Sequence, residues 1–393
     1  MVWPLVARLD YYGAQLGRRL AYPFFQGRSE GLILSEVSLI RQGSSIYVPF
    51  RGDLFISAPY PPLYYYLTAW LSGLVGAAET NFTVARGISL VSAWVGGLLI
   101  AWQVFFFRPP DQDGNLSRPL LALKGGVAVL AGLTFVTLPA VLVWSARVRA
   151  DMLMTALQLA GLTLVAEGAN RRRFGLVLAA TVPFTLALYT KQTALAGPAA
   201  ALVFLAFVYG RNWRKTALWL VAQVLVAGLP FLVLNFTTGG ELFRRLFKYH
   251  NLPWLLDNFQ NYAGLFGQEN LGLLILGAVL TGLALVNIII RLRSGKEGIK
   301  NFRLDPLLEA GRQVPLAVWY LGGSLALLVG LGVAGADHNH FLPAEAATCL
   351  AAGICLVWLF EAGRWRWLSL AGLVVLALQL AFWSVPDRRY EIE

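Results

Sequence analysis

The 393-residue chain is 57% hydrophobic, carries charge on only 13% of its residues and has a mean hydropathy of +0.61. About a quarter of the residues of a soluble domain are charged, so this composition excludes an ordinary soluble protein. The formal net charge of +11 does not indicate nucleic-acid binding, because the basic residues fall mostly in short loops between apolar runs.

These apolar runs predict an all-α, polytopic transmembrane helix bundle. A helix needs about 20 apolar residues to cross the hydrocarbon core of a bilayer. We predict ten spans, at residues 84–107, 121–144, 151–167, 174–190, 193–210, 216–236, 268–290, 314–335, 343–361 and 366–384. Residues 62–78 are aromatic-rich and short, which favours an interfacial or re-entrant helix. The predicted organisation is an N-terminal outer-face loop with interfacial helices at 1–83, a bundle at 84–384 and a tail at 385–393.

The loops indicate which way the bundle faces. One alternating set, which includes "NRRRF", "GRNWRK" and "RLRSGKEGIKNFR", carries roughly twice as many Lys and Arg residues as the other set. The positive-inside rule places the richer set in the cytoplasm, so the N-terminal loop and the turns near 147, 191 and 338 face outward. An outward N-terminal loop needs a span before it, and residues 1–25 hold no apolar run long enough. We therefore expect a truncated start.

The early loop carries two candidate acids. Glu30 follows the Gly-Arg-Ser turn of "GRSEG" and opens a segment with apolar residues at helical spacing. Both Glu30 and Glu36 have a structural interpretation as negative charges near a helix N-terminus, which the helix dipole favours. That interpretation is the preferred one for Glu36, and a functional role is preferred for Glu30.

The stretch "SARVRADMLMT" places three charged residues between two apolar runs. Asp151 stands at the first turn of a predicted helix, where a capping role would explain it. Charged groups at a membrane edge are costly, however, and indicate a functional site. Arg147 and Arg149 beside a helix N-terminus suit a phosphate, although one of them has a simpler role as the ion-pair partner of Asp151.

Two later turns add polar candidates. Lys191, in "YTKQTAL", is a candidate phosphate contact supported by the donors of Gln192, and its alternative is snorkelling toward lipid headgroups. His338 and His340, in "GADHNH", favour a sugar or phosphate contact over a metal site, because their spacing fits no strong zinc pattern; plain loop polarity stays open. Glu345 at membrane depth requires a partner or a wet cavity.

The two cysteines are not candidate site residues. Cys349 and Cys355 lie within one apolar run, which predicts helix packing and neither a disulfide framework nor a metal centre.

Four pieces in order, "RSEG", "YPPLYYYL", "SARVRADMLMT" and "YTKQTAL", resemble the GT-C superfamily of membrane glycosyltransferases. The similarity is to bacterial relatives of the dolichyl-phosphate-mannose protein mannosyltransferases and to ArnT-like transferases, and "HNHFLPAEAA" is a looser fifth match. The resemblance covers roughly residues 28–360. Ser29 departs from it, because many relatives carry an acidic pair at this point of the loop.

The resemblance implies a polyprenyl-phosphate-linked sugar donor at the outer membrane face and inverting transfer to a glycan, lipid or protein acceptor. Glu30 matches the loop acid that acts as general base, and Asp151 matches a second acid that orients the acceptor or, in some members, a divalent metal. Lys191, Arg147 and Arg149 match the basic groups around the donor phosphate, and His338 and His340 match the late motif loosely. The predicted substrate-binding residues are Arg147, Arg149, Lys191, Gln192, His338, His340 and Tyr60. No nucleotide is needed, since the activated donor stores the energy.

Two other classes of protein stay open. A transporter or flippase of lipid-linked sugars would show inverted repeats and broken helices at mid-membrane. A membrane scaffold would tolerate Glu30→Gln and Asp151→Asn. The collection of charged residues at one face favours the enzyme.

Overall fold

The computed structural model describes residues 2–50, 55–76, 82–108, 118–249, 251–294, 304–361 and 366–380. The predicted tail at 385–393 and the end of the last predicted span lie outside these ranges. The described chain is built from helices, as the hydropathy pattern predicts, and the all-α polytopic bundle is confirmed. The helices are α1 Val2–Ala21, α2 Arg28–Arg41, α3 Leu63–Leu74, α4 Phe82–Phe106, α5 Arg118–Thr137, α6 Pro139–Ser145, α7 Asp151–Asn170, α8 Phe174–Ala179, α9 Thr181–Thr190, α10 Ala196–Tyr209, α11 Trp213–Thr237, α12 Glu241–Phe243, α13 Leu256–Glu269, α14 Leu271–Ser294, α15 Leu304–Arg312, α16 Leu316–Leu327, α17 Leu342–Glu361 and α18 Arg366–Leu378.

The expected number of ten spans is too high. Five helical stretches of the described chain are long and apolar enough to cross a membrane, or six if the bent pair α5–α6 is one span. Several predicted spans are shorter helices, because the apolar runs are interrupted by breaks that hydropathy does not register. These shorter stretches are Phe174–Thr190, Leu316–Gly332 and Trp367–Leu378.

One apolar stretch of 42 residues, Ala196–Thr237, contains two predicted spans. It is a hairpin of α10 and α11, since the hydroxyl of Thr216 donates to the carbonyl of Leu205 over 3.0 Å. Residues 11 apart in a continuous helix would be separated by about 16 Å. Gly210, with φ +46°, makes the reversal in a conformation that disfavours other residues.

The break between α5 and α6 directs the chain toward the polar turn. Leu138 is extended (φ −63°, ψ 146°), as expected of a residue before proline, and the two helices are bent by 65° at Pro139. The short α6 is fully buried and ends at Ser145. The turn at 146–150 follows, and α7 begins at Asp151. The bend therefore places the start of α7 inside the protein.

The centre of the bundle is formed by α4, α5, α7 and α17. Of the candidate spans, α17 with its preceding turn is the most enclosed. A second, smaller core joins the N-terminal segment to the bundle through Ile33 and Val37 of α2, Tyr64 and Tyr65 of α3, and Val148 of the turn. The first helix, α1, is not among the candidate spans. A missing first span stays a prediction.

Helices α4 and α5 cross at glycines. A Cβ atom built on Gly132 would lie 2.4 Å from the backbone oxygen of Gly97, and one built on Gly97 would lie 3.0 Å from the oxygen of Gly132. This is the close backbone approach that small residues permit in membrane helices. The opposing atoms are backbone, so they cannot move aside cheaply.

We therefore expect Gly132→Ala to destabilise the protein by about 1–3 kcal/mol, the usual cost of overpacking a core. The matched control is Gly126→Ala in the same helix, where a Cβ would meet nothing within 4 Å. Thermal unfolding of the purified protein in detergent is the measurement. Equal melting temperatures for the two variants would contradict the tight crossing.

Candidate active site

The site centres on Asp151, the first residue of α7, which is completely buried. Its Oδ1 accepts hydrogen bonds from Lys191 Nζ at 2.5 Å and from Asn339 Nδ2 at 2.9 Å. Its Oδ2 is buried and has no hydrogen-bond partner within the described chain. An interior carboxylate without donors is costly. The unsatisfied oxygen marks a position where a substrate hydroxyl would gain a hydrogen bond.

The backbone of the "SARVRAD" turn is held from α4. The hydroxyl of Ser89 donates to the carbonyl of Arg147 at 2.8 Å and to that of Arg149 at 3.1 Å. These bonds satisfy carbonyls that a turn in a buried place would otherwise leave unpaired. The turn is therefore a fixed platform for the Asp151 carboxylate.

Lys191 is the ion-pair partner of Asp151, at only 5% exposure. The snorkelling alternative is wrong, because the side chain turns into the protein. Arg149, one of the two neighbouring arginines, also attracts the Asp151 carboxylate electrostatically, although the direct hydrogen-bonded ion pair is with Lys191. Lys191 ends α9 in an extended conformation. That change of direction lets its side chain reach the start of α7.

Arg149, Tyr60 and Gln192 are brought beside this pair. Arg149 donates to the hydroxyl of Tyr60, and Lys191 Nζ lies 6.0 Å from the centroid of the Tyr60 ring. The Gln192 amide donates to the carbonyls of Pro59 and Leu246, at 3.2 and 3.5 Å. With Lys191 itself and the arginine described next, five of the predicted substrate-binding residues surround or adjoin Asp151.

That arginine is Arg147. The guanidinium groups of Arg147 and Arg149 lie 4.8 and 5.1 Å from the ring centroid of Trp144. Both arginines are half-buried, whereas Asp151 is fully enclosed. The turn therefore carries two partly buried cations directly before a fully buried carboxylate.

Glu30 lies on the same side of the bundle but in a different setting. Its Oε1 accepts from the backbone N–H of Val148 at 2.7 Å, and its Oε2 accepts from Gln26 N at 2.6 Å and from Arg86 at 3.2 Å. The contact with Val148 joins Glu30 directly to the turn that carries Asp151. Three hydrogen-bond donors occupy both oxygens of this carboxylate.

Arg86 was not among the predicted site residues. It is fully buried in α4 and donates to the carbonyls of Tyr22 at 2.6 Å and Phe24 at 2.9 Å as well as to Glu30. An arginine at the start of a predicted span was the available signal, since charged groups in apolar runs need a partner. Arg86 fastens the N-terminal segment onto the bundle.

Glu36 and Arg245 fix the next part of the loop. Glu36 lies in the middle of α2, buried, and its Oε1 accepts from the backbone N–H of Ala58 at 2.5 Å. Its interpretation as an N-terminal helix charge is wrong. Burial raises the pKa of the Glu36 carboxyl, although the Ala58 bond opposes the shift. Arg245 donates to the carbonyls of Val48 and Ile56. The loop that carries Tyr60 is thus anchored from two sides.

The turn at 337–341 contributes Asn339 to the site, and this residue lies between the two predicted histidines. His338 forms a hydrogen bond with Asp337 at 2.6 Å and packs edge-on against Phe341. These contacts stabilise the turn itself. Burial would raise the pKa of Asp337, but the hydrogen bonds from His338 outweigh it and lower that pKa to about 2. His340 is half-buried, within electrostatic range of Lys191. Asn339 alone of this turn bonds Asp151.

The residues around Asp151 do not fit a metal ion. Within the described ranges, no three His, Cys, Asp or Glu side chains come together as a ligand set. Of the two groups that contact Asp151, the Lys191 ammonium would repel a cation, and the Asn339 amide presents its N–H to the carboxylate. A divalent metal at this position therefore has no support from the donor set.

An apolar groove lies next to this centre in the chain, because Gln192, the neighbour of Lys191, is part of its lining. A cavity of 420 Å³ is lined by residues that include Pro62, Tyr189, Gln192 and Phe231, and a neighbouring cavity of 640 Å³ shares Pro62 and Tyr189 with it. The groove runs between α3, α9, α11 and α12. Its polar end is Gln192, the neighbour of Lys191.

Comparison with known proteins places the fold. No family model and no curated protein matches the chain. Among solved structures it is similar to ArnT from Cupriavidus metallidurans bound to undecaprenyl phosphate, with TM-score 0.56 and 18% identity over 94% of this chain and 63% of that one. The apo state of the same ArnT gives TM-score 0.54 and 18% identity, over 94% and 62%. The chain spans less than two thirds of the length of ArnT, and its fold is similar to that of ArnT.

The Glu30–Arg86 contact generates a prediction about the N-terminal segment. We expect Arg86→Gln to release residues 19–24, since removing one member of a buried ion pair typically costs about 3–5 kcal/mol. Trypsin should then cleave after Arg19, which is 3% exposed in the intact protein, faster than in the wild type.

The control is Arg171→Gln, which removes an exposed arginine paired with Glu167 at the other end of α7. An Arg86→Gln protein as resistant to trypsin as this control would contradict the anchoring role.

Proposed function

We propose that this protein is a membrane glycosyltransferase that transfers a sugar from a polyprenyl-phosphate-linked donor to an acceptor at the outer face of the membrane. The observation that carries the proposal is the buried Asp151–Lys191 pair, with one carboxylate oxygen unsatisfied, directly followed in the chain by Gln192, which lines an apolar groove. The fold supports it, because one of the similar ArnT structures holds undecaprenyl phosphate.

The donor would lie with its lipid chain in the groove and its phosphate near Lys191. The groove walls are mostly apolar side chains of α9, α11 and α12, which suit a prenyl chain. At the polar end, Lys191, Arg149 and the amide of Gln192 offer hydrogen-bond donors and positive charge. Fixed cations in a low-dielectric site stabilise a phosphate more strongly than water does.

The reaction would be a displacement at the anomeric carbon. The acceptor oxygen or nitrogen attacks that carbon while its bond to the donor phosphate oxygen breaks. The electron pair of the broken bond stays on the polyprenyl phosphate, and the acceptor proton passes to a carboxylate. Because attack and departure occur on opposite faces of the sugar, the configuration inverts. The cations stabilise the charge that develops on the leaving phosphate.

Asp151 is the better placed of the two predicted acids to receive this proton. A general base needs a lone pair within hydrogen-bond reach of the acceptor. Asp151 Oδ2 has no donor in the described chain, whereas Glu30 already accepts three hydrogen bonds. We therefore assign Asp151 as the base and Glu30 as the residue that positions the turn through Val148.

The side of the membrane follows from charge distribution. The turn at 146–150, Lys191 and the turn at 337–341 all lie at the end of the bundle where α7 and α17 begin. The loops at the opposite end, between α7 and α8 and between α10 and α11, are the ones rich in Lys and Arg. The positive-inside rule then makes the Asp151 end the outer one.

The experiment is sugar transfer in proteoliposomes with a panel of radiolabelled undecaprenyl-phosphate sugars and membrane-extract acceptors. We expect Asp151→Asn to lower kcat by about 10²- to 10⁴-fold, the usual contribution of general-base catalysis. The matched control is Glu167→Gln at the other end of the same helix, which should leave the rate unchanged.

Movement of labelled lipid across the bilayer without formation of a new glycoside would contradict the proposal and indicate a flippase. An Asp151→Asn protein as active as the Glu167→Gln control would remove Asp151 from the base role.

A further inference from the structure

The contacts of Asp151 are asymmetric, and Asn339 is part of the reason. Both donors, Lys191 Nζ and Asn339 Nδ2, bind the same oxygen, Oδ1. Two bonds to one oxygen fix the carboxylate plane and leave Oδ2 available. We propose that Asn339 is a positioning residue that holds Asp151 with Oδ2 turned toward the acceptor. This inference rests on the transferase function proposed above.

Lys191 cannot hold Asp151 reliably during the reaction. Its ammonium is a point charge on a flexible four-carbon stem, and a donor phosphate would compete for it with the carboxylate. The amide of Asn339 is neutral, so an arriving phosphate attracts it far less. When Lys191 shifts toward the phosphate, the 2.9 Å bond from Asn339 keeps Asp151 in place.

Asn339 is itself held by its neighbours. The carboxylate of Asp337 accepts from the backbone N–H of His338 at 2.7 Å and contacts the ring of the same histidine at 2.6 Å. That ring packs between Tyr262 and Phe341, with centroids 5.2 and 5.3 Å away. The turn then continues into α17, the most enclosed span. Asn339 therefore reaches Asp151 from a rigid base.

A neutral amide is also the right chemistry at this position. A carboxylate there would add a second negative charge beside Asp151 and disfavour the charged form of the Asp151 carboxylate. An alanine would leave Oδ1 to Lys191 alone. We therefore expect Asn339→Ala to affect kcat and Asn339→Asp to affect the pH profile. A merely structural role for Asn339 would not produce this difference between the two variants.

The test compares Asn339→Ala and Asn339→Asp with the wild type in proteoliposomes. The control is Asn270→Ala, a fully buried asparagine whose amide bonds the Phe266 carbonyl instead of Asp151. Three quantities are measured for each protein: affinity for undecaprenyl phosphate from tryptophan fluorescence, kcat for sugar transfer, and the pH profile of kcat/KM. Trp144, beside Arg147 and Arg149, is a natural reporter of phosphate binding.

We expect Asn339→Ala to bind undecaprenyl phosphate as tightly as the wild type but to lose about 10- to 100-fold in kcat, the contribution of a hydrogen bond to a charged group. In Asn339→Asp, the acidic limb of the pH profile should move up by about one pH unit, because the added carboxylate disfavours the charged form of Asp151.

The inference is overturned if Asn339→Ala matches the Asn270→Ala control in kcat while the wild type is active, or if the Asn339→Asp profile superimposes on that of the wild type. Absence of wild-type transfer with every donor would overturn the proposed function, and this inference with it. The two failures are therefore distinguishable.

Discussion

The structure depends on the burial of a carboxylate and an ammonium at one end of a helix bundle. Removing Asp151 and Lys191 from water costs several kcal/mol for each ion, and their attraction offsets this only when the geometry is good. That geometry requires the bend before α6, the extended end of α9 and the turn before α17 to meet at one point. A helix bundle without a function at this point would be as stable with apolar side chains in place of the ion pair.

A second buried ion pair, between Arg86 and Glu30, connects the N-terminal segment to the candidate site. Arg86 binds Glu30 and the carbonyls of residues 19–24, and Glu30 in turn binds the backbone of Val148. The early loop is thereby connected to the turn that carries Asp151. Glu36 and Arg245 fasten the following part of the loop, where Tyr60 lies beside Lys191. The two acids thus have different contacts within one connected network.

Hydropathy predicted the all-α membrane fold, because the length and composition of an apolar run are local properties. The same local signal overcounted spans, since several apolar runs, such as Phe174–Thr190 and Leu316–Gly332, form helical stretches that are too short to count as spans. Charged residues in turns located the site, because such groups are costly at a membrane edge. Their partners were not predictable: Arg86 is 56 residues from Glu30, and Asn339 is 188 residues from Asp151. Local sequence patterns carry no information about contacts at such separations.

The most direct test of the account is an experimental structure of the protein in a lipid nanodisc with undecaprenyl phosphate bound. The account predicts the phosphate within hydrogen-bond distance of Lys191, the prenyl chain in the groove beside Tyr189 and Phe231, and Asp151 still bonded to Asn339. A phosphate held at the other end of the bundle, near Arg171, or a prenyl chain outside the groove would contradict it.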